Sequence, residues 1–364
     1  MAKAGRSLQD LAAEIQRRAE AKRDFVAPTS RLAVEVIDGS AQLAVASGDS
    51  QRFPLTALAH SQLAEYAGIP MAYYRRMQEK EPELLASSVN RWLRDLSDKR
   101  RLVRTLDGSA RAILSDGYRP LENEDLADAV LPVLMEANLL ILSCEITESR
   151  LYIKAVDRSI ERDVPTGKAM GDGGHTIFDT CCPALTISNS EVGGGALSIE
   201  SGVWTRACTN LASFGAAMRK FHTGKRADVS DDVYELLTDE TKRLSDAAVW
   251  AQTRDIVRAA FDSAKFEALT QRLGGAAQDR IAPAAAVEVV ERMGKRWNMP
   301  EGERKGILGA LIAGGDLSRY GLHSAVTRFS QEEAVSYDRA TELERLGGDV
   351  IDLQPGQWRE LLPA

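Results

Sequence analysis

Cysteine is scarce in this chain of 364 residues, with 4 in all: Cys144, Cys181, Cys182 and Cys208. No two have the spacing of a zinc site. Cys181 and Cys182 are neighbours, which disfavours a strain-free disulfide between them. They read as reduced thiols in a cytoplasmic protein. Histidine is equally rare, with His60, His175, His222 and His323 the 4 present. None pairs with another at ligand spacing, and His175 with Asp172, Asp179 and Cys181 comes nearest to a cluster, so no metal and no cofactor are expected. No apolar run approaches the roughly 20 residues of a membrane span, so no membrane partner is expected. The stretch MAKAGRSLQDLAAEIQRRAEAKR is charged throughout and carries no apolar segment of the secretory kind. Positive charge is in deficit: 46 Lys and Arg against 53 Asp and Glu give a net charge of -7. That argues against a generally basic nucleic-acid coat, but a local basic patch remains open.

The rest of the composition, 44% hydrophobic and 27% charged, is that of a globular chain long enough for two or three domains. Leu8, Leu11 and Ile15 predict a short amphipathic helix over 7–23, read as a loosely attached arm. Asp38-Gly39 and Asp107-Gly108 predict tight turns, the first within a hairpin. Residues 55–77 read as two helices around Gly68, with Pro70 in the first turn of the second. Residues 83–96 and the segment after Glu122 read as further helices. The middle third is β-rich. One hairpin turns at Glu148-Ser149, and two more strands are joined through Gly193-Gly194-Gly195. The segment ACTNLASFGAAMRKFH is expected to close the unit as a helix. From Asp228 onward the pattern is mostly helical, near 231–260, 284–297 and 303–313.

The fold class expected is therefore α+β. A central, largely antiparallel sheet of two hairpins packs against helices on one face, with an N-terminal hairpin and helical pair and a mostly helical C-terminal region. The units expected are 1–105 (arm, hairpin and helices), 106–227 (β core with its closing helix) and 228–364 (helical region).

Two basic segments stand out. Ser201 to Ala227 holds no acidic residue but carries Arg206, Arg219, Lys220, Lys225 and Arg226. With Asn210 at an expected helix N-terminus, this is a candidate phosphate-binding surface. The plain alternative is a solvated helix end. The second run covers Arg91, Arg94, Lys99, Arg100, Arg101 and Arg104, opposed only by Asp95 and Asp98. Asn189, Ser190 and Glu191 sit where a strand ends, as candidate polar site residues. SQLAEYAGIPMAYYRRM partly fits a helix-turn-helix with Arg75 and Arg76 on its second helix, yet a plain helical hairpin fits as well. The glycine runs lack the Lys-Ser/Thr ending of a phosphate loop. Cys208 has no evident local base, and no catalytic residue is assigned.

The blocks RTLDGSARAILSDGYRPLENEDL, ISNSEVGGGALSIESGVWTRACTN, RKFHTGKR and LSRYGLHSAVTRFSQ together resemble a phage/plasmid-like family, domain of unknown function 932. The resemblance runs from about residue 50 to about residue 350. One departure is Leu211, where a Gly is expected after Cys-Thr-Asn. The resemblance implies a mobile-element context and no activity. The expected β core also looks like that of phage single-strand annealing proteins, an analogy of fold alone. The expectation is a cytoplasmic, homo-oligomeric protein that binds single-stranded DNA without catalysis, for recombination or strand annealing. One alternative is an enzyme acting on nucleic acid or nucleotides, with Asn189, Glu191, Arg206 and Asn210 around its site. Another is a module that binds host proteins.

Overall fold

A computed structural model describes residues 3–46, 51–95, 99–170, 174–206, 209–220 and 239–363. Among these are twelve α-helices and twelve strands, and every strand pairing is antiparallel. The class is α+β, as the sequence predicts.

The N-terminal unit holds two three-stranded sheets, β2 (Leu32–Ile37), β3 (Ser40–Val45) and β4 (Gln51–Pro54), and β1 (Arg23–Pro28), β5 (Arg100–Leu106) and β6 (Ser109–Ser115), in the orders β2-β3-β4 and β1-β5-β6. Both predicted hairpin turns form. Asp38 and Gly39 have φ of 50° and 76°, and Asp107 and Gly108 have 51° and 76°. Two consecutive positive φ values give the turn twist that suits a two-residue hairpin. Helices α2 (Ala57–Tyr66) and α3 (Met71–Lys80) are joined at Gly68, φ +64°, and α4 (Pro82–Asp95) follows. Leu63, Tyr74, Leu85, Val89, Val103 and Ile113 share one core, which therefore continues past residue 105 through the β5–β6 hairpin.

The central sheet runs β12-β11-β10-β8-β7, with β9 (Arg162–Met170) pairing the first half of the long strand β10 (His175–Asn189). Its other members are β7 (Leu140–Ile146), β8 (Leu151–Val156), β11 (Leu197–Thr205) and β12 (Asn210–Lys220). Helices cover both faces rather than one. Against one face pack α1 (Leu8–Ala21), α5 (Asn123–Glu136) and α6 (Asp239–Ala259), through Leu11, Leu126, Val130, Ile153, Ile187 and Val257. Against the other lie α7 (Ser263–Ala276), α10 (Arg319–Phe329) and α11 (Tyr337–Asp352). With α8 (Ala286–Arg296), α9 (Glu301–Gly314) and α12 (Pro355–Leu361), helices α10 and α11 enclose a separate helical core around Val289, Met293, Ile307, Leu343 and Val350.

Two expectations need correction. Helix α1 is not a loose arm: Leu11 and Ile15 are buried, Arg18 donates to the carbonyl of Thr147 at 2.8 Å, and Arg6 N–H bonds the Cys144 carbonyl at 2.7 Å on the edge of β7. The closing helix is strand β12, paired with β11 from Thr205↔Asn210 to Leu197↔Lys220. Leu211, Phe214 and Met218 recur at helical spacing, but both faces of the strand are covered, so burial rather than periodicity decided the outcome. The register shifts at Gly215, φ +42°, where the strand bulges. The left-handed residue before the strand is Thr209, with φ at 53°.

No helix among the described residues is long and apolar enough to cross a membrane.

Candidate nucleic-acid interface

The turn between β10 and β11 is held by buried polar groups. Asn189 Nδ2 donates to the Leu121 carbonyl at 2.7 Å and to Asn123 Oδ1 at 2.9 Å. Ser190 Oγ accepts from Gly194 N–H at 2.8 Å, and Tyr118 Oη accepts from Gly193 N–H at 3.1 Å. Glu191 accepts from Arg111 Nη1 at 2.9 Å and from Asn123 N–H at 2.8 Å, while its carbonyl accepts from Arg104 Nη1 at 2.7 Å. Burial alone raises the pKa of Glu191, but the Arg111 charge, a hydrogen bond with Glu122, the Asn123 N–H and Arg104 outweigh it and bring it to about 2. Burial and the Glu191 charge push Glu122 the other way. Asn189 and Ser190 thus build the turn, and Glu191 does so while lining, with Arg111, Asn123 and Arg150, a recess of only 10 Å³.

Arg104, expected on a nucleic-acid surface, is instead fully buried and bonded to Asp24, Glu122 and the Glu191 carbonyl. It lies on the middle strand of its sheet, where an alternate side chain must point inward.

Two recesses flank this turn. On one side a groove of 410 Å³ is lined by Gln62, Glu65, Tyr66, Arg101, Ser115 and Gly193, among others. The Arg101 guanidinium lies 3.8 Å from the centre of the Tyr66 ring. Burial lowers the pKa of Arg101. Lys99 and Arg100 are exposed beside it, and Arg91, Trp92 and Arg94 are exposed on α4. On the other side a polar cavity of 220 Å³ is lined by Arg150, Arg219 and Arg345, by Ser188, Ser198 and Ser213, and by Glu200 and Asp349. Three cations face two carboxyls there, and burial with the Asp352 and Glu200 charges raises the pKa of Asp349, favouring its neutral form. Arg345 is fixed by Glu200 at 2.6 Å and Ser188 Oγ at 3.2 Å. Arg150 donates through Nε to the Gly194 carbonyl at 2.8 Å. A Cβ on Gly195 would collide with the Arg150 guanidinium, so glycine there lets Arg150 lie across the turn.

Gly193 lines the groove and Ala196 lines the cavity. Their Cα atoms are three residues apart and thus separated by no more than about 11 Å.

The remaining sequence candidates divide. Arg219 joins the cavity, with half-buried Lys220 beside it at the end of β12. Arg206 is exposed, paired with Glu161 at 3.1 Å, at the opposite end of the β11–β12 hairpin, roughly 25 Å away at the rise of a strand. Asn210 begins a strand, not a helix, and its Nδ2 reaches the Ser324 carbonyl at 3.4 Å, so no helix N-terminus offers a phosphate site there. Lys225, Arg226, His222 and Cys208 lie outside the described residues. Asn189 and Glu191 lie near one end of the sheet and Arg206 and Asn210 near the other, so these four do not converge on one centre. Sequence reasoning missed Arg150, Arg345 and Tyr66. Only the last carried a signal, an aromatic next to the helix-ending Gly68.

His60 is buried against the Tyr74 hydroxyl at 2.9 Å, and burial lowers its pKa. His323 is buried against the Gly347 carbonyl at 2.8 Å, and burial lowers it to about 4. Burial raises the Cys144 thiol to about 11 and the Cys181 thiol to about 12. Arg75 and Arg76 are exposed on α3, whose Tyr74 and Met77 anchor it to the core. If the chain binds DNA, replacing both arginines by Ala is expected to leave that affinity within a few-fold. A loss confined to one duplex sequence, in a gel-shift comparison, would restore the helix-turn-helix reading.

No protein-family profile, curated protein or solved structure matches this chain.

Proposed function

We propose that this protein binds single-stranded DNA along a track that runs from the Tyr66–Arg101 groove, over the glycine turn, into the Arg150–Arg219–Arg345 cavity. The carrying observation is that Arg101 and Arg219, one from each of two basic segments far apart in the sequence, line recesses on the two sides of one turn, with Gly193 on one flank and Ala196 on the other. Cations interleaved with aromatic faces suit a strand whose phosphates are held and whose bases stack. Tyr66 supplies such a face in the groove, Arg150 and Arg219 supply charge in the cavity, and Lys99 and Arg100 are exposed next to Arg101 in the chain. The turn is braced from within, so the track keeps its shape without a ligand. Binding would be stoichiometric, in keeping with strand annealing by an oligomer in a mobile-element setting.

The test is salt dependence. Replacing Lys99, Arg100 and Arg219 together by Ala is expected to weaken binding of a labelled single strand and to flatten the log–log salt slope by about 2, at roughly 0.7 for each phosphate no longer neutralised. Arg206→Ala, at the far end of the hairpin, is the matched control and is expected to change neither. Equal binding and slope in the triple variant and the parent would remove the track. Light scattering with and without DNA tests the assembly, and a strict monomer in both conditions counts against annealing.

A further inference from the structure

Tyr66 and Arg101 pose a hydrogen-bonding problem that the protein does not solve. Tyr66 Oη and Arg101 Nε are both buried, and neither has a partner. Among the described residues no side-chain or backbone acceptor bonds the Arg101 guanidinium. Its guanidinium carbon lies 3.8 Å from the centre of the Tyr66 ring, and the Asp116 charge acts on it without a hydrogen bond. Arg111 also has unpartnered nitrogens, Nε and Nη2, but its Nη1 donates to Glu191, and buried Arg104 is bonded to two carboxylates and a carbonyl. A donor fork left without acceptors beside an open groove is a half-made interaction, since buried polar groups are ordinarily paired.

The missing partner must be planar enough to lie beside a stacked guanidinium and must present acceptors to it. A phosphate meets the second requirement, but Glu65 lines the same groove and would repel it. Glu65 instead adds an acceptor pair to the Arg101 donor pair. Gln62 is held at the wall of the groove by one bond on each side of its amide, donating to the Val192 carbonyl at 2.7 Å and accepting from Ile113 N–H at 2.8 Å. Among the four bases, guanine alone combines two adjacent acceptors on one edge, O6 and N7, with two adjacent donors on another, N1–H and N2–H. Arginine forks match the first edge, and carboxylates match the second. The groove, at 410 Å³, lies within the roughly 300–1,000 Å³ of small-molecule sites.

We infer that the Tyr66–Arg101–Glu65 groove is a nucleobase pocket selective for guanine, so that the strand is held with a preferred base at this point of the track. The inference rests on the single-strand reading for its context. Its test compares an all-thymine oligonucleotide with the same strand carrying spaced guanines. The parent protein is expected to bind the guanine strand about 5- to 100-fold more tightly, the discrimination of one good bidentate base contact. Arg101→Lys keeps the charge and removes the fork, so it is expected to abolish the preference, bringing the guanine strand down to the affinity of the thymine strand. Glu65→Gln, at the exposed rim, is expected to lower the preference without abolishing it. Equal binding of the two strands by the parent overturns the pocket and leaves the track standing. An equal loss on both strands in Arg101→Lys marks a phosphate contact and also overturns it. If no strand binds, the track fails, and calorimetry with dGMP against dTMP decides the pocket alone. Binding of dGMP that Arg101→Lys removes supports it, and no binding ends it.

Discussion

Glu344→Ala lowers the stability of the protein by about 3–5 kcal/mol, because it leaves a buried ammonium without its partner. Lys154 on β8 and Glu344 on α11 are both fully buried, with Nζ 2.7 Å from Oε2. Burial presses Lys154 towards its neutral form and Glu344 likewise, and each is drawn back by the other. The Lys154 ammonium also lies 4.6 Å from the centre of the Tyr337 ring. The pair is there because this face of the central sheet is polar along alternate positions, Lys154, Thr186 and Ser188 among them, and α11 answers it with Tyr337, Asp338, Glu344 and Arg345. Replacing both partners by apolar residues of similar volume, Lys154→Met with Glu344→Leu, is expected to recover most of the loss, since two desolvated charges contribute little net stability beyond their mutual compensation. Urea midpoints of Lys154→Met, Glu344→Leu and the double variant form the cycle. Additive losses would mean the two groups do not depend on each other.

Local signals carried much of the fold. The two Asp-Gly turns, the Gly68 corner and the turn at Glu148-Ser149 each rest on the conformational preference of a few residues, and each formed. Signals that depend on distant packing failed. Leu211, Phe214 and Met218 fit a helix until β11 and the covering helices place them in a strand. Arg104 looks like one more cation of a basic run, and only the pairing of β5 between β1 and β6 turns it inward to Asp24 and Glu122. The candidate site shows the same division. Both basic segments are visible as composition, whereas the turn that brings them together acts through Arg111, Asn123 and Tyr118, which no local spacing marks. Asn189, Ser190 and Glu191 drew attention as polar residues at a strand end. Their polarity is spent inward, on holding the turn.

Glu191→Ala is expected to destabilise the protein by about 3–5 kcal/mol at neutral pH and to lessen its acid sensitivity between pH 4.5 and 2, while Glu14, lowered to about 2 by Arg17 and Arg18, acts alike in both proteins. The carboxyl is 6% exposed and faces Arg111, itself 5% exposed, so its loss strands a buried guanidinium. The sign of the pH effect follows from the direction of the shift. Glu191 falls from its ordinary value of 4.5 to about 2 in the fold. A lowered carboxyl stabilises the folded chain above the unfolded value, here by about 3 kcal/mol, and that contribution drains away as pH falls through the folded value. Glu122 is raised and contributes in the opposite sense, but its contribution is complete once pH drops below the ordinary 4.5, so it is constant across the same window. Urea denaturation of the parent between pH 4.5 and 2 should therefore show a steeper decline in stability than that of Glu191→Ala. Parallel declines would mean that Arg111 does not hold this carboxyl ionised. The consequence for binding is separable: Glu191 lies beneath the turn and reaches neither recess through an exposed atom, so at neutral pH any folded fraction of Glu191→Ala should lose DNA affinity only as far as Gly193 and Gly194 lose their place between the groove and the cavity.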